Sequence, residues 1–350
     1  MASPDILSGL PLGLAQEVVQ ESAFWQSWLF WLLVAGVILA AVALGYFIRL
    51  LRITLRLFVS TQMPGTPDAT NGNQVAGELH PFPSRDGTGL VGLFIDPPPG
   101  TPIRGTIVFA HEFKGELHTA GRYTAGLGRL GYRIFTFDFR GHGRSDNSGA
   151  YQPMHWVTEH EVNDVLAAVG YVASTAPAPG HPIAVMGVSR GACAAAIAAL
   201  YTPEICVLVL DGLFSTDLMV ESLMKRYAQI FASIHIIRPS HPAATFAFLR
   251  VFTLLYAELR LRCRYPLVRK IMPHLKRVPM LFIYGGDDTF IDQEQRIKLY
   301  RTKSGLKQLA VVPGAKHNQA VLADPAGYSR LIGEFLDQHM PPVPEGDRRG

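Results

Sequence analysis

Cysteine is scarce in this chain. The 350 residues hold three, Cys193, Cys206 and Cys263. They are widely spaced, odd in number and match no metal-ligand pattern, which excludes a disulfide framework and fits free thiols in a reducing compartment. Charge is scarce too, at 17% of residues against 48% hydrophobic, which excludes a disordered chain. No Lys or Arg precedes Arg49, no charged residue lies between Ser22 and Ile48, and no N-x-Ser/Thr sequon occurs anywhere. Internal repeats are absent as well.

The uncharged stretch is the first positive feature. Its core, LFWLLVAGVILAAVALGYFI (Leu29 to Ile48), has the length that carries a helix across about 30 Å of hydrocarbon. Trp25, Trp28 and Trp31 cluster at one end and Tyr46 lies near the other, as interfacial aromatics do. An acidic start (Asp5, Glu17, Glu21) and the length of the run argue against a cleaved signal peptide. Arg49, Arg52 and Arg56 follow directly, so the positive-inside rule expects a single-pass membrane protein with everything C-terminal in the cytoplasm. The expected division is an N-terminal segment (1–21), a transmembrane helix with a basic juxtamembrane extension (22–60), a linker (61–76) marked by QMPGTPDATNGNQ (Gln62 to Gln74), a soluble domain (77–340) and a tail (341–350).

Within the soluble domain, short apolar runs recur: GLVGLFI (Gly89 to Ile95, in an entry hairpin), GTIVFA (Gly105 to Ala110), YRIFTFDF (Tyr132 to Phe139), PIAVMG (Pro182 to Gly187), ICVLVLD (Ile205 to Asp211), PMLFIYG (Pro279 to Gly285) and LAVVPG (Leu309 to Gly314). Strands buried on both faces read this way. Helix-length segments separate most of them, His155 to Ser174 and Tyr328 to Met340 among them. The alternation predicts an α/β class with a mostly parallel, doubly wound sheet.

The run AVMGVSRGACAAA (Ala184 to Ala196) places Ser189 in Gly-x-Ser-x-Gly between a predicted strand and a predicted helix. That context suits a nucleophile elbow: glycines permit a sharp turn, and the serine is presented beside a helix N-terminus. A serine hydroxyl needs a general base, and the base needs an orienting acid. YGGDDTFID offers Asp287 and Asp288, and VPGAKHNQA offers His317, each after a predicted strand. Together with FAHEFKG after the third strand and DFRGHGRSD (Asp138 to Asp146) after the fourth, these motifs resemble the α/β-hydrolase superfamily, its esterase/lipase and dienelactone-hydrolase-like members, over roughly Gly77 to Met340. The resemblance implies the α/β-hydrolase fold and a Ser189–Asp288–His317 triad, since Asp288 stands three after Gly285 as in relatives; Asp287 and Asp211 remain alternative acids. It also implies backbone oxyanion donors at Phe113 and Arg190. His111 and Glu112 stand near the site, and Glu112 departs from the His-Gly of many relatives; it either faces the nucleophile or turns to solvent or Lys114. Arg140, His142 and Arg144 are read as shaping the loop after the fourth strand, and Cys193 as a core residue.

A further segment, Leu213 to Arg277, is too long for one crossover helix, and the resemblance implies a cap there. It holds eleven Lys or Arg against three acids, a local charge of +8 that leaves −4 for the remainder of a chain with net +4. In FAFLRVFTLLYAELRLRCRYPLVRK (Phe246 to Lys270) the basic residues are interleaved with apolar ones, as in a helix lying on a membrane surface. The expected function is a membrane-anchored serine hydrolase of a carboxylic ester or thioester, with a small-molecule or lipid substrate, no metal, no organic cofactor and no nucleic-acid partner. A serine peptidase and a non-catalytic scaffold that binds lipid or protein are the rival readings. Substrate and oligomeric state are not written in the sequence.

Overall fold

The computed structural model describes residues 12–60, 74–147, 151–176, 178–230 and 243–344. Most of the linker and Arg238 of the basic segment lie outside them. The chain divides into two compact units between Arg56 and Leu57.

Helix α1 (Leu12–Ser60) is a run of Leu, Ala, Val and aromatic residues; the first unit holds it up to Arg56, and its last four residues, Leu57–Ser60, belong to the second unit. Its stretch Ser27–Ser60 has a mean hydropathy of 2.4 in its most apolar window and is long and apolar enough to cross a membrane. The large side chains there are exposed, Leu39 at 72% for example.

The second unit is an eight-stranded sheet. Its strands are β1 (Leu79–Pro83), β2 (Gly89–Ile95), β3 (Gly105–Ala110), β4 (Tyr132–Asp138), β5 (Ile183–Val188), β6 (Ile205–Asp211), β7 (Met280–Gly285) and β8 (Lys307–Val312). The order is β1-β2-β4-β3-β5-β6-β7-β8; β2 runs antiparallel to both its neighbours, β1 and β4, and β3 to β8 are parallel. Seven strands match the apolar runs to within two residues. The hairpin partner β1 carries two prolines and only Phe82 of it is buried, so periodicity gives it no signal. Every residue of β3, β5 and β7 is buried, as the continuous apolar runs require.

Ten helices are described. After α1 come α2 (Ala120–Thr124), α3 (Glu159–Thr175), α4 (Arg190–Ala198), α5 (Thr216–Ile230), α6 (Ala243–Leu261), α7 (Val268–Ile271), α8 (Gln293–Thr302), α9 (Ala320–Ala323) and α10 (Pro325–His339). One face of the sheet packs Phe109, Met186 and Ile283 against Tyr123 of α2, Val321 of α9 and Ile332 and Phe335 of α10. Helix α3 starts later than its pattern indicates, because Thr158 and Glu161 form a capping box at Thr158. Among the described residues, helices α5, α6 and α7 lie in the insertion between β6 and β7. The amphipathic helix read across Phe246 to Lys270 stops at Leu261: Arg262 takes a left-handed φ of +53°, and Pro266 follows. Arg262 and Arg264 therefore lie beyond the helix.

The strand order reverses between β3 and β5, the topological position at which open α/β sheets carry their sites, at the carboxyl ends of the strands. Ala110 of β3 pairs with Gly187 of β5, so the residues that follow each strand emerge side by side.

Candidate active site

Ser189 follows β5 by one residue and precedes α4. Its backbone is held at φ +53°, ψ −114°, a region that non-glycine residues avoid unless the surroundings impose it. The imposition is visible. Ser189 N–H donates to the Asp211 carbonyl at 2.7 Å. A Cβ on Gly187 would come within 2.5 Å of the Ala192 backbone, and one on Gly191 within 2.1 Å of the Ala110 carbonyl oxygen. Both glycines of the motif are thus fixed by close backbone approach.

His317 lies after β8 and Asp288 after β7. Ser189 Oγ is 2.9 Å from His317 Nε2, and His317 Nδ1 is 2.8 Å from Asp288 Oδ2. A carboxylate accepts only, so the imidazole proton sits on Nδ1 and Nε2 is left to accept from the serine hydroxyl. All three residues are at least nine-tenths buried. Burial would raise the Asp288 carboxyl, but the His317 hydrogen bond and charge, with the N–H groups of Ile291 and Phe290 on Oδ1, hold it below its ordinary value. Arg296 fastens this loop by donating to the carbonyls of Gly285, Asp288 and Ile291. The motifs gave no hint of Arg296; only the fold brings it under the loop.

The alternative acids are placed elsewhere. Asp287 is exposed, and its N–H donates to the Ala315 carbonyl. Asp211 is buried at the end of β6, accepts from Tyr328 Oη at 2.9 Å, and is pushed up to about 7 chiefly by burial. A carboxyl that keeps its proton near neutrality is ill suited to hold an imidazolium.

On the β3 side, His111 is fully buried. Phe139 N–H donates to His111 Nε2 at 3.1 Å, so Nδ1 carries the proton and donates to the Glu112 carbonyl at 2.7 Å. Gly115 N–H reaches the same carbonyl. With that carbonyl pinned, the planar trans peptide points the Phe113 N–H the opposite way. Burial, with the charge on Arg190 and the neighbouring His142, keeps His111 neutral. Glu112 does not turn to solvent: it is 2% exposed and accepts from Tyr123 Oη at 3.3 Å. Tyr123 also donates to the Asn318 carbonyl beside His317, a link the sequence did not suggest.

Arg190, the residue after the serine, opens α4 with a backbone N–H that has no acceptor within the helix. Its side chain is fully buried. The guanidinium lies 5.3 Å from the ring centres of both Phe113 and Phe139, donates to the Met154 carbonyl and to His142 Nε2, and stands 3.5 Å from Glu161. Glu161 rises to about 7, mainly from burial, and His142 falls to about 3 from burial and the Arg190 charge.

The remaining singled-out residues are structural. Asp138 accepts from Leu117 N–H and Arg144 N–H, tying the loops after β3 and β4 together. Arg140 binds Asp164 and Asp86 at 2.6 Å each. Cys193 donates to the Phe214 carbonyl and is pushed up to about 12 by burial, so it is no nucleophile. Among the described residues no group of three or more His, Cys, Asp or Glu side chains is placed to hold a metal ion.

Comparison with known proteins gives three findings. Residues 101–243 match the family described as serine aminopeptidase, S33, a span that includes Ser189 but neither Asp288 nor His317. No curated protein matches. Among solved structures, an esterase from Pyrococcus furiosus is 22% identical over 80% of this chain and 98% of its own, with a TM-score of 0.55. A soluble variant of a monoglyceride lipase from Saccharomyces cerevisiae, in complex with a substrate analogue, is 20% identical over 78% and 99%, with a TM-score of 0.53.

Proposed function

We propose that this hydrolase, whose fold is that of the α/β-hydrolases, is a membrane-anchored serine hydrolase that cleaves a carboxylic ester or thioester of a lipid. The observation that carries the reading is the continuous hydrogen-bond chain from Ser189 Oγ through His317 to Asp288 on a strained strand-to-helix turn. In this reading Ser189 Oγ attacks the acyl carbon while His317 Nε2 takes its proton. Asp288 holds the Nδ1–H tautomer and offsets the imidazolium charge. The N–H groups of Phe113 and Arg190 receive the oxyanion. His317 then returns the proton to the departing alcohol or thiol, and water, activated by the same nitrogen, frees the acid and regenerates Ser189.

Membrane anchoring is supported by the Ser27–Ser60 stretch, and the basic flank Arg49, Arg52 and Arg56 favours, by the positive-inside rule, a cytoplasmic second unit. Helix α6 adds a surface contact. It buries Phe246, Leu249, Thr253 and Ala257, yet exposes Phe248, Val251, Phe252, Leu255, Tyr256 and Leu259, with Arg260 and Arg262 exposed at its end. An apolar face with a basic rim suits an anionic lipid surface. The match to the serine aminopeptidase, S33 family keeps a peptidase as the second reading.

The test is hydrolysis by the purified full-length protein of p-nitrophenyl esters of increasing chain length, beside aminoacyl p-nitroanilides. Preference for long acyl chains, lost in Ser189→Ala, is the expected result. Cleavage of anilides alone would establish the peptidase.

A further inference from the structure

Three consecutive residues between β4 and α3 reach three separate parts of the second unit. The Met154 carbonyl accepts from Arg190 Nη1 at 2.8 Å. The His155 ring stands edge to face on Phe113, with ring centres 6.2 Å apart. The Trp156 ring, fully buried, is stacked on Phe58 with ring centres 5.0 Å apart and planes 7° from parallel, and its Nε1–H donates to the Phe58 carbonyl at 2.8 Å.

Phe58 belongs to the last turn of α1, and the indole N–H caps its carbonyl. Phe58 is itself 2% exposed and packs edge to face on Tyr265, just beyond α6, at 5.1 Å. The Met154–Trp156 strap is therefore clamped at one end by Phe58 and bears at the other on the two residues whose N–H groups are assigned to the oxyanion.

We propose that Phe58, at the end of the apolar helix, is a positioning residue of the active site: through Trp156 and His155 it holds Phe113 and Arg190 in register with Ser189. The proposal rests on the reading of those two N–H groups as oxyanion donors. Its physical basis is the kind of contact involved. His155 Nε2 has no hydrogen-bond partner among the described residues, and burial with the Arg190 charge pushes the ring down to about 3 and keeps it neutral, so its hold on Phe113 is packing alone. Packing contacts follow the position of the next residue, and that residue is fixed by Phe58. The last residues of α1, Leu57–Ser60, which belong to the second unit, thus serve as part of the scaffold of the site.

The test uses the full-length protein in detergent micelles, with Phe58→Ala, Phe58→Leu and Trp156→Phe, the last keeping an aromatic ring at the position while removing the indole N–H and the fused five-membered ring. Three quantities are read well below the melting temperature: kcat per fluorophosphonate-titrated site, KM for a short soluble ester, and amide hydrogen exchange across residues 112–116. A sub-ångström loss of register predicts kcat reduced by about tenfold or more in Phe58→Ala, less in Phe58→Leu, with KM within about twofold and exchange at 112–116 accelerated. A merely structural contact lowers the melting temperature and leaves kcat per site and loop exchange as in the parent; that result overturns the proposal. If Phe58→Ala does not fold, Trp156→Phe decides by the same criteria. If the parent protein hydrolyses no ester and takes no probe, the hydrolase assignment of Ser189 fails instead, and loop exchange alone decides whether Phe58 governs Phe113.

Discussion

Asp211 and Asp288 are both buried near His317, yet burial leaves them with opposite character. Asp288 is ionised and bound to His317, whereas Asp211 is raised to about 7 and bound to Tyr328. Asp288→Asn is expected to lower kcat by about four orders of magnitude, since asparagine cannot support the Nδ1–H tautomer or the imidazolium. Asp211→Asn is expected to stay within about tenfold of the parent, and steady-state kinetics on one ester separates the two. Asp211 also makes a stability prediction. An unfolded aspartate ionises near ~3.9, while the folded group holds its proton to about 7. Between those values the native state binds the extra proton, so stability falls as pH rises through that window and levels off above it. Glu161, raised to about 7, acts with the same sign. Asn keeps an acceptor for Tyr328 and never ionises. The melting temperature of Asp211→Asn should therefore match the parent at about pH 4 and below, and exceed it increasingly up to about pH 8, by an amount worth up to ~4 kcal/mol. An offset independent of pH would contradict the assignment of a neutral buried Asp211. At the elbow, Gly191→Ala would drive a methyl to within 2.1 Å of the Ala110 carbonyl oxygen, backbone that cannot swing aside. A loss of ~1–3 kcal/mol or more in urea unfolding is expected, together with loss of probe labelling.

The elements show which signals a sequence carries. Continuous apolar runs gave β2 to β8, because strands buried on both faces need no alternation. Gly-x-Ser-x-Gly and the residues after β7 and β8 gave Ser189, Asp288 and His317 as candidates, because each chemistry sits in the few residues after a strand. β1 escaped, being short, proline-bearing and half exposed. The end of α6 escaped because the left-handed turn at Arg262 has no glycine to announce it. Arg296, Tyr123 and the Phe58–Trp156 stack escaped for another reason: each acts on a partner distant in sequence, and spacing alone does not encode such pairs. The last of these makes an element-level prediction. A chain beginning at Leu57 keeps the ring that covers Trp156, and a chain beginning at Gly77 does not. Loss of a buried phenyl ring costs ~3–5 kcal/mol and an orphaned buried N–H a further ~1–3 kcal/mol. The shorter chain should melt well below the longer one in differential scanning calorimetry; equal melting temperatures would show that Phe58 contributes nothing to the second unit.

For the whole molecule, charge distribution and hydropathy set the expected arrangement: one apolar span, basic residues on its C-terminal side, and a hydrolase unit after it. A reporter fused at the C-terminus should behave as cytoplasmic, and protease added outside intact cells should spare the second unit; an exported reporter would reverse the orientation. The central claim is chemical, that Ser189 is an acyl-accepting nucleophile activated by His317. Mass spectrometry of the full-length protein after treatment with a fluorophosphonate tests it most directly. One phosphonyl adduct, on the tryptic peptide that follows Arg144 or Arg140 and ends at Arg190, localised to Ser189 and absent from Ser189→Ala and His317→Ala, is the expected result. An adduct elsewhere, or undiminished labelling in the Ser189→Ala chain, would contradict it.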